Sequence, residues 1–156
     1  MREKQRKNVF ISYSGKDASA ARKIRNSIPS EFEVWFDEER IQPGQNISEI
    51  LQEALTASDY YVSIISENSK NSIWVQREIS IAFELSIEKR LSVVPILLQG
   101  SDVPLEFKGL LNIDFRKSFS NGLEKLKEFF QSQAAVIGDI EPLYITLKSQ
   151  NDAAKK

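Results

Sequence analysis

Short apolar runs alternate with stretches whose apolar positions recur every three or four residues, from Val9 to about Phe130. The runs cover residues 9–13, 32–36, 60–65 and 91–98, with a weaker one at 111–115. The first, third and fourth are nearly continuous in Val, Ile, Leu, Phe and Tyr, the composition of strands covered on both faces, and are expected at the centre of a sheet. Between them, Ala18, Ala21, Ile24 and Ile28 fall at helical spacing, with Pro29 closing the segment. Ile47, Ile50, Leu51, Ala54 and Leu55 form a second stripe after a Pro43-Gly44 turn. A third helix is predicted from near Trp74 toward Arg90, capped by Asn71 or Ser72, and a last one carries Leu123, Leu126, Phe129 and Phe130.

Strands alternating with helices predict an α/β domain with a parallel sheet and helices on both faces. Right-handed crossovers leave few topologies, and the doubly wound order 2-1-3-4-5 is the simplest for five strands. Ligands of such sheets bind beyond the carboxyl ends of the strands, where the winding reverses between the first and third. That rule selects three segments: the loop 14–17, the loop 37–44, and the stretch from Ser66 through Trp74 to Glu78.

The chain has 156 residues, 41% of them hydrophobic and 28% charged, with a formal net charge of -1. This suits one soluble domain and argues against nucleic-acid binding through bulk positive charge. Residues 1–7 read as a basic extension and 133–156, which lack a clear period, as an appendage or linker. The basic start lacks the apolar stretch of a secretory signal, and no run reaches membrane-spanning length, so a cytoplasmic protein without membrane contact is expected. Histidine and cysteine are absent, which excludes a Ser-His-Asp triad, a thiolate nucleophile and the usual zinc ligand sets. No metal site is expected.

Each selected segment has two readings. Ser14, Gly15 and Lys16 offer a hydroxyl, an approachable backbone and a cation near a helix start, which suits phosphate, yet the loop has neither Walker nor GxGxxG pattern and reads equally as a polar turn. Asp17 can simply cap the helix. The second loop, with Asp37, Glu38 and Glu39, is long for a strand-to-helix connection, and its carboxylates either meet ribose hydroxyls or are solvated charges beside a turn. Trp74 and Glu78 lie four residues apart and so share a helix face, placing an aromatic surface and a carboxylate on one wall. Their structural reading is a half-buried indole and a glutamate favoured by the helix N-terminus.

Taken together, residues 9–14 (VFISYS), the second strand running into Asp37 and the Pro43-Gly44 loop, and the Trp74-x-x-x-Glu78 spacing resemble a Toll/interleukin-receptor (TIR) domain. The resemblance spans roughly residues 8–132 and implies a flavodoxin-like five-stranded sheet. In enzymatic members the glutamate of the Trp-x-x-x-Glu motif is needed to cleave NAD+, and it falls here on Glu78. The carboxylate of the loop after the second strand falls on Glu39. A Phe-Trp motif near the end, frequent in receptor-type members, is missing, which leans toward a bacterial-like or enzymatic branch.

The activity so implied is that of an NAD+ nucleosidase, with NAD+ as substrate and no bound cofactor. Glu78 would be catalytic, and Ser14, Gly15, Lys16, Asp37, Glu39 and Trp74 would bind substrate. The products would be nicotinamide and ADP-ribose or a cyclic ADP-ribose. Implied partners are further copies of the chain through TIR-TIR contacts and another signalling domain or effector, in immune or antiphage signalling. The rival readings are a non-enzymatic TIR scaffold and a phosphoacceptor receiver domain. The latter is disfavoured because the first strand ends in Ser12-Tyr13-Ser14 rather than an acidic pair.

Overall fold

In a computed structural model, residues 6–35, 43–88, 90–100 and 102–135 are described. Five parallel strands form one sheet in the order β2-β1-β3-β4-β5: β1 (Lys7–Ser12), β2 (Phe32–Trp35), β3 (Tyr60–Ile65), β4 (Ser92–Leu97) and β5 (Ile113–Asp114). This is the predicted doubly wound topology. The three strands expected at the centre are there: every residue of β3 is buried, as are the last four of β1 and of β4, whereas β2 and β5 are only partly covered.

Helices α1 (Ala18–Ser27), α2 (Ile47–Thr56), α3 (Glu67–Lys70) and α4 (Ile73–Ile87) follow the first three strands, and α5 covers residues 119–135 of the described chain. A 3-10 turn, Gly15–Asp17, precedes α1. The α5 helix passes residue 132, where the domain is expected to end; the remainder of the expected appendage, from 136, lies outside the described residues, as do residues 1–5 of the basic extension.

Two apolar clusters lie on opposite faces of the sheet, because successive strand residues point to opposite sides. On one face Val9, Ile11, Tyr60, Val62 and Ile64 pack with Ala21 and Ile24 of α1 and Leu126 and Phe130 of α5. Phe32, Tyr60 and Phe130 meet edge-on there, with ring centroids 5.1–5.8 Å apart. On the other, Phe10, Tyr61 and Ile65 pack with Leu51 and Leu55 of α2, Val75, Ile79, Ala82 and Leu85 of α4, and Phe107 from the β4–β5 crossover. Among its described residues that crossover contains only the 3-10 turn Leu105–Phe107, and Phe107 alone of those three residues is buried.

Two punctuating residues behave as the local chemistry requires. Gly44 has φ +88°, the left-handed backbone that a Pro-Gly turn demands of its glycine. Pro95 stands in β4, an interior strand, where a residue without an N–H normally breaks the ladder. The even-numbered amides of β4 serve β3, as shown by Ser92 N–H to Asp59 C=O (3.0 Å) and Leu98 N–H to Ile65 C=O (2.9 Å). Odd positions therefore face β5, and β5 begins only opposite Ile96, so the donor Pro95 lacks has no strand partner to miss.

Candidate functional site

The winding reverses between β1 and β3, and the loops leaving their carboxyl ends are joined by one carboxylate. Asp17 stands at the N-cap of α1, as its position suggests, but its side chain makes no capping bond to the helix. Instead Ser66 Oγ–H donates to Asp17 Oδ2 at 2.5 Å and Asn68 Nδ2–H donates to Oδ1 at 2.9 Å. Ser66 and Ser69 close a reciprocal capping box on α3: the Ser69 N–H donates to Ser66 Oγ (3.1 Å) and the Ser66 N–H to Ser69 Oγ (2.8 Å). Asp17 thus ties the turn after β1 to the start of α3. Of the residues expected to hold phosphate, Ser14 is buried beside this junction and its carbonyl accepts the Asp17 N–H at 2.8 Å, while Gly15 and Lys16 are exposed on the turn. Asp37 and Glu39 lie outside the described residues.

The α4 helix begins where expected. Ser72, the second of the two predicted caps, accepts the Val75 N–H at 3.3 Å, and Asn71 instead ends α3. Trp74 and Glu78 project from one side of α4, as their spacing requires. Trp74 is half-buried and packs against the second apolar cluster, which is its structural reading fulfilled. Glu78 lies in the second turn of α4 and is 1% exposed, set on the inward stripe of the helix with Val75, Ile79 and Ala82. A groove of about 530 Å³ does lie along α4, but Gln52 of α2, Lys70 of α3 and Ser72, Gln76, Arg77 and Ser80 at the start and along the outer side of α4 line it, not Glu78.

What Glu78 faces was not singled out from the sequence. Tyr61 and Ser63 lie on the same face of β3, and Ser12, the last residue of β1, is the register partner of Ser63. All three are at most 1% exposed. Burial, and then the charge of Glu78, push the Tyr61 hydroxyl well above the ordinary tyrosine range, and the Ser12 and Ser63 hydroxyls partly oppose that rise. They sit near enough to act on Tyr61, yet none of the three hydroxyls, nor the Trp74 indole N–H, meets hydrogen-bond geometry with a partner among the described residues. Ser63 carried a signal: it is a polar residue in an otherwise apolar central strand, in register with Ser12.

A model of the TIR domain family matches residues 9–127, and the chain belongs to that family. Among curated relatives it is 32% identical over 120 residues to the stimulator of interferon genes protein of Magallana gigas, covering 73% of this chain and 29% of that protein. It is 24% identical over 91 residues to the NAD(+) hydrolase PdTIR of Paracoccus denitrificans, covering 57% and 30%. The chain therefore spans less than a third of the length of these two relatives. Among solved structures, the TIR domains of the activated Roq1 resistosome superpose with a TM-score of 0.60 at 18% identity, over 82% of this chain and 99% of that one. That likeness shows the fold. No described helix is long and apolar enough to cross a membrane.

Proposed function

We propose that this domain cleaves the bond between nicotinamide and ribose in NAD+, with Glu78 as the catalytic carboxylate. The observation that carries the reading is a buried carboxylate grouped with an indole and three hydroxyls, behind the carboxyl ends of the two strands that flank the topological switch. Carboxylates are rarely this buried without a purpose, because removing a charge from water costs several kcal/mol. The relative named as an NAD(+) hydrolase supports the substrate.

The chemistry suits a chain without histidine. The C1′–N bond breaks with its electron pair passing to the pyridinium nitrogen, so nicotinamide leaves neutral and needs no general acid. The ribose left behind is oxocarbenium-like, and a nearby carboxylate stabilises that charge and holds the ribose hydroxyls. Water then adds to C1′ and loses a proton, giving ADP-ribose; capture by a nitrogen of the adenosine half closes a cyclic ADP-ribose. Trp74 supplies an apolar wall, Ser14, Gly15 and Lys16 hold the pyrophosphate, and Asp37 and Glu39 meet ribose hydroxyls. Self-association completes the cleft, in keeping with the resistosome in which structurally similar TIR domains are found. The setting is cytoplasmic immune or antiphage signalling.

The decisive experiment incubates concentrated protein with NAD+, separates the products, and repeats with Glu78→Gln. Turnover that rises faster than linearly with protein concentration and vanishes in a folded Glu78→Gln variant is expected. Equal turnover in both proteins removes Glu78 from the chemistry. One observation favours a second reading, a TIR scaffold that binds other TIR domains without catalysis: Glu78 has 1% exposure, which suits a residue that orders the core. Intact NAD+ at every concentration, including on a clustering support, selects it.

A further inference from the structure

We propose that residues 143–147 of this chain dock along the outer edge of β2 as a sixth parallel strand. The stretch 136–156 as a whole lacks a period, but within it Leu143, Ile145 and Leu147 alternate with Tyr144 and Thr146. This aromatic and β-branched run follows Pro142 and gives way to a polar tail from Lys148, the pattern of a short strand. Among the described residues β2 pairs only with β1, so its other side is an edge. Phe32 N–H, at the start of β2, turns to Pro29 C=O at 3.1 Å rather than to β1. Strand alternation sends the N–H and C=O of Val34 the same way, which leaves a rung for an incoming strand.

The course of the chain leads to this edge. The α5 helix lies on the face of the sheet that also carries α1. The connection from β1 through α1 to β2 crosses that face from β1 toward β2, and right-handed crossovers over one face all advance in one direction. A strand that follows α5 therefore advances from β5 toward β2, and because the places between are filled, the first free one lies beyond β2. The helix has already made that crossing. Phe130 meets Phe32 of β2 at 5.1 Å, and Tyr60 O–H, at the start of β3, donates to Gln133 Oε1 at 3.0 Å. The end of α5 thus stands at the amino ends of the strands, where a parallel strand must begin. The linker 136–142 reaches at most about 25 Å, several times the ~4.8 Å spacing of strands.

Charge and apolar surface match along the route. A groove of about 960 Å³ runs between β2 and α5, and in it Arg6, Arg25 and Lys127 outnumber Glu31 and Glu33. The linker that crosses it carries Asp139 and Glu141 and no cation. In phase with β2, Leu143 and Ile145 extend the apolar row of Phe32 and Val34, while Tyr144 and Thr146 stand beside Glu33 and Trp35 on the more open face. A second copy carries the same five residues, yet a short tether holds this chain's own at an effective concentration on the order of millimolar. The added strand closes this edge to other chains and braces β2, from which the segment 37–44 departs.

The chain has no cysteine, so engineered pairs report contact without background. In the full chain, Glu33→Cys at its exposed site is paired with Tyr144→Cys, Thr146→Cys or Ala154→Cys and oxidised mildly in dilute solution. Loop closure depends only weakly on length, so an undocked tail links all three at similar rates, whereas docking should favour 144 or 146 over 154 by about tenfold within one molecule. Equal rates overturn the proposal. A disulfide that forms chiefly between two molecules assigns the edge to a second copy and overturns it as well. The Val34 amide gives a reading free of cysteines: in hydrogen exchange it should be protected in the parent and lose about tenfold or more of that protection in Ile145→Pro, while β3 amides, unchanged, show the domain still folded. A Val34 amide that exchanges equally in the two proteins overturns the docking.

Discussion

Asp17→Ala should cost this domain about 2 kcal/mol, because the carboxylate bridges two loops rather than capping a helix. Its two acceptors serve Ser66 Oγ–H at 2.5 Å and Asn68 Nδ2–H at 2.9 Å. A hydrogen bond to an ionised group contributes roughly 1.5–3 kcal/mol where water is excluded and much less where it is not. Ser66 is buried, so its hydroxyl loses its acceptor at close to the lower figure, whereas Asn68 is half-buried and recovers most of its loss from solvent. At about 3 °C per kcal/mol for a chain of this size, Tm should fall by about 6 °C. Thermal unfolding followed by circular dichroism reads this directly. Asp17→Asn, which keeps one acceptor, should fall between the parent and Asp17→Ala, and Asn68→Ala should cost less in the Asp17→Ala background than in the parent. A Tm within about 1 °C of the parent for Asp17→Ala would refute the bridge.

Gly122→Ala should destabilise by about 1–3 kcal/mol although glycine is a poor helix former, because the new Cβ would sit 2.5 Å from Cγ of Phe115, a core ring; a raised urea midpoint would contradict this. Asp114, held at about 2 by its hydrogen bonds to Arg116, has a depressed carboxyl pKa, so its contribution is present above about pH 4 and fades as pH falls toward 2. Asp114→Asn should flatten that part of the acid limb, more visibly at low salt, with the Asp114 carboxyl titration followed by NMR. Tyr61 works in the opposite sense: with its pKa raised in the fold, stability is whole below the ordinary tyrosine value near 10 and is lost as pH climbs beyond it. Tyr61→Phe should extend the alkaline limb, and ultraviolet titration of the parent should show a tyrosine that ionises only as the protein unfolds.

The fold was legible because its signals are periodic. Residues 60–65 form a strand with the bounds their composition indicates, and the stripe of Ala18, Ala21 and Ile24 lies on α1, with Ile28 at its C-cap. The short connections were not legible. Residues 67–70 form a one-turn helix through a serine pair too brief to set up a period, and Asp17 found donors 49 and 51 residues away, a choice invisible to local capping rules. Glu78 was legible as a motif but not as a buried group, since four-residue spacing assigns a shared face without saying what that face meets. Its surroundings arise from Tyr61, Ser63 and Ser12, which strand alternation and register bring together, and a reading that seeks apolar strands passes over serines within them.

Pro95 has an effect beyond its own strand. By withholding a donor on the side toward β5, it leaves that flank of the sheet a two-residue ladder, from Ile96 and Leu97 to Ile113 and Asp114. Such a stub offers an incoming chain almost no rungs, the usual defence against fibrillar growth by strand addition. Copies that gather on this flank must meet through helices and loops, so assembly can be regulated by side chains rather than by backbone zippering.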